Sequence, residues 1–173
     1  QRVDSGQALS IENCDAEMLV RQTAALLGLD NEGRHAFEIT APQSPTLSVN
    51  RVLLVQILGN LLKNATESIT SSGVAKGRVA ITIDATEDGR LCEIKIRDNG
   101  EGFDPALVTK MFERGFSMRP NKVGGLGLHW CANSINAMGG RLTLESDGPG
   151  SGATARLVLP IATLATGLEL TEA

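Results

Sequence analysis

From Asn50 to about Thr70 the chain carries one broad apolar stripe in helical phase, and that stripe dictates a layered fold. At about 100° per residue, Leu53, Leu54, Ile57, Leu58, Leu61, Leu62 and Ala65 share a face, with Asn50 placed as N-cap. So wide an apolar face must be buried against a second layer. The following segments supply one. Arg78 to Ala85 alternates Val79, Ile81 and Ile83 on one side, Asp88-Gly89 makes a hairpin turn, and the return strand puts Cys92, Ile94 and Ile96 on the same side.

The remaining pattern fits around this pair. A helix is expected from Asp15 to Leu29, capped by Asp15 and bearing Met18, Leu19, Ala25, Leu26 and Leu29. His35 to Ala41 reads as a strand ended by Pro42, and Leu47 to Val49 as a short extended piece. A short helix is expected near Pro105 to Met111 and a third main helix over Leu126 to Met138. Arg141 to Ser146 and Ala153 to Leu159 read as strands joined by a Gly-Pro-Gly turn. Helices early and antiparallel hairpins late predict an α+β fold, a two-layer α/β sandwich. One sheet face packs on three helices and the other is solvated. At 173 residues the chain has room for one such core.

Composition removes several function classes. A formal charge of −4 leaves no basic footprint for nucleic acid or for an anionic membrane. No apolar run approaches the roughly 20 residues that span a bilayer. Cys14, Cys92 and Cys131 are odd in number and form no CxxC pair, which excludes a zinc ribbon and points to core thiols in a reducing, cytosolic setting. With only two histidines, a histidine-built metal site is not expected.

Of nineteen glycines, ten crowd into residues 100–102, 124–127, 139–140 and 148–152, where backbone must take positive φ or approach a ligand. Four pieces there and on the long helix carry chemistry. Asn60 and Asn64, four apart, stack at the edge of the apolar face. They read either as boundary amides bonded to loops or as amide oxygens for a hard cation such as Mg²⁺. Asp98 falls on the inward parity of its strand, where a carboxylate needs a partner. It is either the start of an Asp-Asn-Gly turn or an acceptor for an exocyclic amine, with Gly100 and Gly102 letting a ring lie on the backbone. Gly124-Gly-Leu-Gly127-Leu-His129 opens a helix, and a glycine-rich helix N-terminus suits phosphate. It is neither a Walker loop nor a dinucleotide fingerprint, since Trp130 stands at the third glycine position. Gly148-Pro-Gly-Ser-Gly152-Ala-Thr154 is, alone, a turn.

In this order the four pieces resemble the N, G1, G2 and final glycine boxes of the ATP-binding domain of sensor histidine kinases. The superfamily also holds gyrase-type ATPases, heat-shock chaperones and mismatch-repair proteins. Met111-Phe-Glu-Arg-Gly-Phe-Ser117 resembles the intervening F box, so the likeness spans roughly residues 15–160. It implies the Bergerat fold, with a mixed, mostly antiparallel sheet, and the cofactors ATP and Mg²⁺. Asn64 would be the metal ligand, with Asn60 close to the phosphates. Asp98 would bind the adenine amine, with Gly100 and Gly102 at the ring and Thr154 supporting the adenine side through water. Gly125, Leu126, Gly127 and Leu128 would lie along the phosphates, and Arg119 or Lys122, in a lid at 113–124, would reach the γ-phosphate.

Hydrolysing members of the superfamily commonly carry Glu four residues before the metal Asn, as a general base. Here that position is Asn60, an amide that takes no proton from water. The stretch from Gly127 to Ala132, with the later glycines, is similar to sensor kinases of the nitrogen-regulation type. The resemblance therefore implies a protein-histidine kinase domain. Its alternatives are a catalytically inactive nucleotide-binding regulatory module or a hydrolysing ATPase. A phosphoacceptor would be His followed by Glu or Asp on a helix; His35 precedes Ala36 and His129 precedes Trp130. The acceptor is thus expected on a separate dimerisation domain, with a response regulator as the next partner. Residues 1–14 are expected to end a linker from that domain, 15–160 to form the catalytic domain and 161–173 a tail. The domain is expected to be cytoplasmic, make no membrane contact and bind no nucleic acid, even if its parent is membrane-anchored.

Overall fold

A computed structural model describes residues 10–30, 33, 35–116 and 127–162. In chain order the elements are β1 (Glu12–Asp15), α1 (Ala16–Leu26), β2 (Ala36–Thr40), β3 (Thr46–Val49) and α2 (Arg51–Ser72). Then come β4 (Arg78–Ala85), β5 (Leu91–Asp98), a 3-10 turn (Pro105–Leu107), α3 (Val108–Met111), α4 (Leu128–Ala137), β6 (Arg141–Glu145) and β7 (Ala153–Pro160). The main sheet has the order β2-β4-β5-β7-β6, with β2 parallel to β4 and every other pair antiparallel. α2 lies across β4 and β5, α4 against β6, and α1 packs on α2. The expected sandwich, with its mixed and mostly antiparallel sheet, is the one observed.

Strand parity builds the two faces. Val79, Ile81, Ile83, Cys92, Ile94, Ile96, Leu157 and Leu159 all point into the core. Burial pushes the Cys92 thiol up to about 12, so it stays protonated at neutral pH. The outer face carries a ladder of charge: Arg78 to Glu38 at 2.6 Å, Lys95 to Glu93 at 3.2 Å, and Arg156 between Glu93 and Glu145 at 3.7 and 3.8 Å. Pairs this exposed contribute only about 0–1 kcal/mol each, so apolar burial on the inner face holds the sheet to its helices.

Two expectations shift at the helix α1. Asp15 is the N-cap as expected, accepting from Met18 N at 3.0 Å and from Ser44 Oγ at 2.7 Å. The buried face, however, is Ala16, Leu19, Val20, Thr23 and Ala24, while Met18 and Leu26 are 58% and 77% exposed. That face packs on α2, with Thr23 Cγ2 3.8 Å from where a Cβ on Gly59 would stand. The helix also ends at Leu26, short of Leu29. Gly28, at φ 71°, turns the chain so that Gly28 N donates to Ala25 O and Leu29 N to Ala24 O, closing the last turn.

The domain limits move too. Glu12–Asp15 pairs antiparallel with β3, so residues 12–14 belong to the folded unit rather than to a linker. Ile161 bridges Leu47, and Ala162 N donates to Thr46 O at 2.8 Å, which carries the fold two residues into the expected tail. Among the described residues no helix is long and apolar enough to cross a membrane.

Candidate functional site

The polar side of α2 organises the site. Asn50 caps the helix through Oδ1, accepting from Leu53 N at 3.1 Å, and this sets the phase of everything after it. Asn60, Asn64 and Ser68 then follow at four-residue intervals along one line. Asn60 is 7% exposed and its side-chain amide donates to Cys131 Sγ in α4 at 3.2 Å. That bond joins α2 to α4 and fixes which end of the amide faces the thiol. Asn64 is half-buried one turn on. Ser68, at the far end, donates from Oγ to Asp98 Oδ1 at 3.4 Å and accepts from Glu101 N at 3.0 Å. The stripe therefore runs about 12 Å, from the start of α4 to the end of β5. Ser68 was missed in the sequence, although its i+4 spacing after Asn64 signals it.

Asp98 ends β5 on the inward face, 7% exposed, as parity predicted. Its Oδ1 also accepts from Gly100 N at 2.8 Å, so the turn reading is true of that oxygen. The glycines after it have packing reasons of their own. A side chain on Gly100 would collide with Ser68 and stand 2.7 Å from Ile69 N. Gly102, at φ 61°, faces Gly148 O, Gly152 O and Ser146 Oγ. Ser146 is the knot of that corner: it accepts from Phe103 N at 3.1 Å and donates to Gly152 O at 2.7 Å. Nothing in the local sequence marks it. The space missing a Cβ at both glycines is thus filled by protein, and their fitness for a ring on that side is not what requires them.

Thr154 calls for a correction. The register sets Asp98 opposite Ala153, whereas Thr154 lies opposite Arg97 on β5 and Glu145 on β6. Cross-strand partners share a face, so Thr154 is on the outer, charged side, away from the carboxylate. One residue of parity decides it.

At the other end of the stripe, Gly127 is the N-cap of α4, with φ −68° and no side-chain cap bond. Its first intrahelical bond runs from Cys131 N to Gly127 O at 3.1 Å, so the N–H groups of Leu128, His129 and Trp130 have no intrahelical acceptor. A Cβ on Gly127 would meet nothing within 4 Å among the described residues. Its φ does not demand glycine, and among the described residues no packing does, at a positive helix end. Arg119, Lys122, Gly125 and Leu126 lie outside the described residues. Among the described residues there is no cluster of three or more His, Cys, Asp or Glu able to hold a metal alone.

A buried carboxylate and a bare helix N-terminus, joined by a stripe of amides, fit an adenine nucleotide. A profile of the histidine kinase-, DNA gyrase B-, and HSP90-like ATPase family matches residues 49–163, which contain every one of these groups. The chain belongs to this ATPase family. Within it, the chain is 35% identical over 146 residues to the signal transduction histidine-protein kinase AtoS of Escherichia coli, covering 83% of this chain and 23% of AtoS. It is 32% identical over 117 residues to the sensor protein CitS of Halalkalibacterium halodurans, covering 68% of this chain and 21% of CitS. The chain thus spans about a fifth of the length of these sensor kinases. The structure of full-length ShkA in complex with AMPPNP superimposes with a TM-score of 0.71 at 28% identity, over 90% of this chain and 32% of ShkA. The architecture is that of the family's ATP-binding domain, as the sequence implied.

Proposed function

We propose that this chain binds ATP with Mg²⁺ and donates the γ-phosphate to a histidine on a separate dimerisation domain of its parent protein, for onward transfer to a response regulator. The observation that carries the reading is the α2 stripe, which joins a buried carboxylate to a helix N-terminus whose N-cap, Gly127, offers no side-chain bond. Asp98, whose Oδ1 already holds Gly100 N and Ser68 Oγ, accepts from the adenine amine with its carboxylate. The N–H groups of Leu128, His129 and Trp130 and the positive end of α4 receive the phosphates. Asn64 offers a hard amide oxygen to the metal, whose other ligands are phosphate oxygens and water. Mg²⁺ supplies charge neutralisation of the polyphosphate when bound.

In the transfer an imidazole nitrogen bonds to the γ-phosphorus, the bond to the β–γ bridging oxygen breaks, ADP leaves and the imidazole gives up its proton. The nucleophile belongs to another domain. His129 has both ring nitrogens hydrogen-bonded, and His35 Nδ1 is buried against Gly77. Self-contained hydrolysis is disfavoured because the position of a general base holds Asn60, whose amide is engaged with Cys131.

The test is calorimetric titration with ATP and GTP, with and without Mg²⁺, followed by transfer of labelled γ-phosphate to the parent's helical domain. Adenine-selective, Mg²⁺-dependent binding with acid-labile label on the added domain is the expected result. Binding without transfer would instead assign a regulatory module, and sustained release of inorganic phosphate would assign a hydrolysing ATPase.

A further inference from the structure

His129 occupies the first turn of α4, half-buried, with two polar contacts. Its Nδ1 lies 3.2 Å from Phe112 O, and its Nε2 lies 3.1 Å from Asn133 Nδ2. A carbonyl oxygen only accepts, so the first contact requires a proton on Nδ1. With the Asn133 amide nitrogen facing it, Nε2 is then the acceptor, which corresponds to the Nδ1–H tautomer.

The partner carbonyl is unusual in where it stands. Phe112 is the C-cap of α3, a helix of only four residues. Between α3 and the strand β6 is an open groove of about 580 Å³, lined by Val108, Thr109, Phe112, Leu142 and Leu144 among others. α3 borders this groove, and the His129 contact ties its carbonyl end to the first turn of α4. Cys131 and Ile135 root α4 in the core. A helix carbonyl tied to the first turn of α4 through His129 is a competitor for the N–H groups there that have no intrahelical acceptor.

We propose that His129 is a positioning residue: its imidazole takes the Phe112 carbonyl and so keeps the backbone N–H groups of the first α4 turn available to a polyphosphate. The proposal rests on the nucleotide reading above and adds to it a side chain that guards the phosphate end without touching the chemistry. Loss of the donor releases Phe112 O to cap α4 internally. The loss is specific for the phosphates, because Asp98 and the adenine end are built from β5 and α2.

Two measurements test this on the full chain. Nitrogen NMR of ¹⁵N-histidine-labelled protein is expected to show His129 protonated at Nδ1; protonation at Nε2 alone would overturn the clasp. Binding of ATP and of adenosine is then compared for wild type, His129→Phe and His129→Asn. The Phe variant, which has no donor, is expected to weaken ATP by about fivefold, the worth of one neutral hydrogen bond. Adenosine binding stays unchanged, and the Asn variant, whose amide falls near the Nδ1 position, restores ATP. Unchanged ATP affinity in the Phe variant, an equal loss for adenosine, or a failure of Asn to rescue overturns the proposal. A wild-type chain that binds no ATP overturns the functional reading and the phosphate role together, while the tautomer still decides the clasp separately.

Discussion

Asparagine at position 60 shows how one side chain divides its functions. Its amide N–H is taken by Cys131, so the contact the residue makes within the protein is structural, while its place on the stripe leaves it one turn from Asn64. Asp98 is divided in the same way, one oxygen holding the turn at Gly100. The adenine role predicts that Asp98→Asn weakens ATP at least tenfold, since a charge-assisted bond contributes about 1.5–3 kcal/mol, yet leaves inorganic triphosphate unaffected. Calorimetry with both ligands decides it, and equal losses reject the role. Gly100 makes a different claim. With Ser68 and the α2 backbone already filling the space, Gly100→Ala is expected to destabilise the fold by about 1–3 kcal/mol, as overpacking does. Urea unfolding measures that, and an unchanged midpoint would mean that β5 and α2 separate without cost.

Elements obey the local rules where those rules have no rival. The α2 cap at Asn50 and the left-handed stop at Gly73, φ 68°, bracket a helix whose phase sets Asn60, Asn64 and Ser68 in line. Asn50→Ala is expected to cost about 1 kcal/mol, read as a lower denaturant midpoint with an unchanged slope. The hairpin between β4 and β5 has its own titrating group. The Thr86 hydroxyl, followed by Arg90 N, holds the exposed Asp88 carboxyl below the ordinary carboxylate value. A depressed folded value means that the stabilisation is fully present above the ordinary value and is lost as pH falls through the depressed one. The protection of Arg90 N against hydrogen exchange, taken relative to its intrinsic rate, is therefore expected to fall on acidification in wild type, and to show no such titration in Asp88→Asn. Helix α1 is where local reasoning fails. Counting Met18 and Leu26 as core residues followed hydrophobicity, whereas the face that packs on α2 is Ala16, Leu19, Val20, Thr23 and Ala24.

At the scale of the whole molecule the site is a junction of three elements far apart in sequence. Residues 60–68, 98–103 and 127–131 meet because β5 and α4 pack at opposite ends of one side of α2. Nucleotide should therefore tie these parts together. ATP with Mg²⁺ at about a hundred times its dissociation constant is expected to add roughly 2.7 kcal/mol to stability. In Asn64→Ala the Mg²⁺-dependent part of the thermal shift should vanish, and a full shift in that variant would remove Asn64 as the metal ligand.

The family, the sandwich, the caps and the stripe of asparagines were legible in the sequence, because each depends on periodicity or on residues within one turn of each other. So was the inward parity of Asp98, which needs only the alternation of its own strand. Tertiary structure alone decided the rest. That Thr154 faces away from Asp98 is a matter of register between β5 and β7, which no single strand encodes. That Asn60 binds Cys131, that Ser68 and Ser146 hold the turn glycines, and that His129 reaches Phe112 are contacts across 17 to 71 residues of chain or between packed layers. Such contacts follow from how the faces interlock, a property of the assembled core rather than of any segment in it.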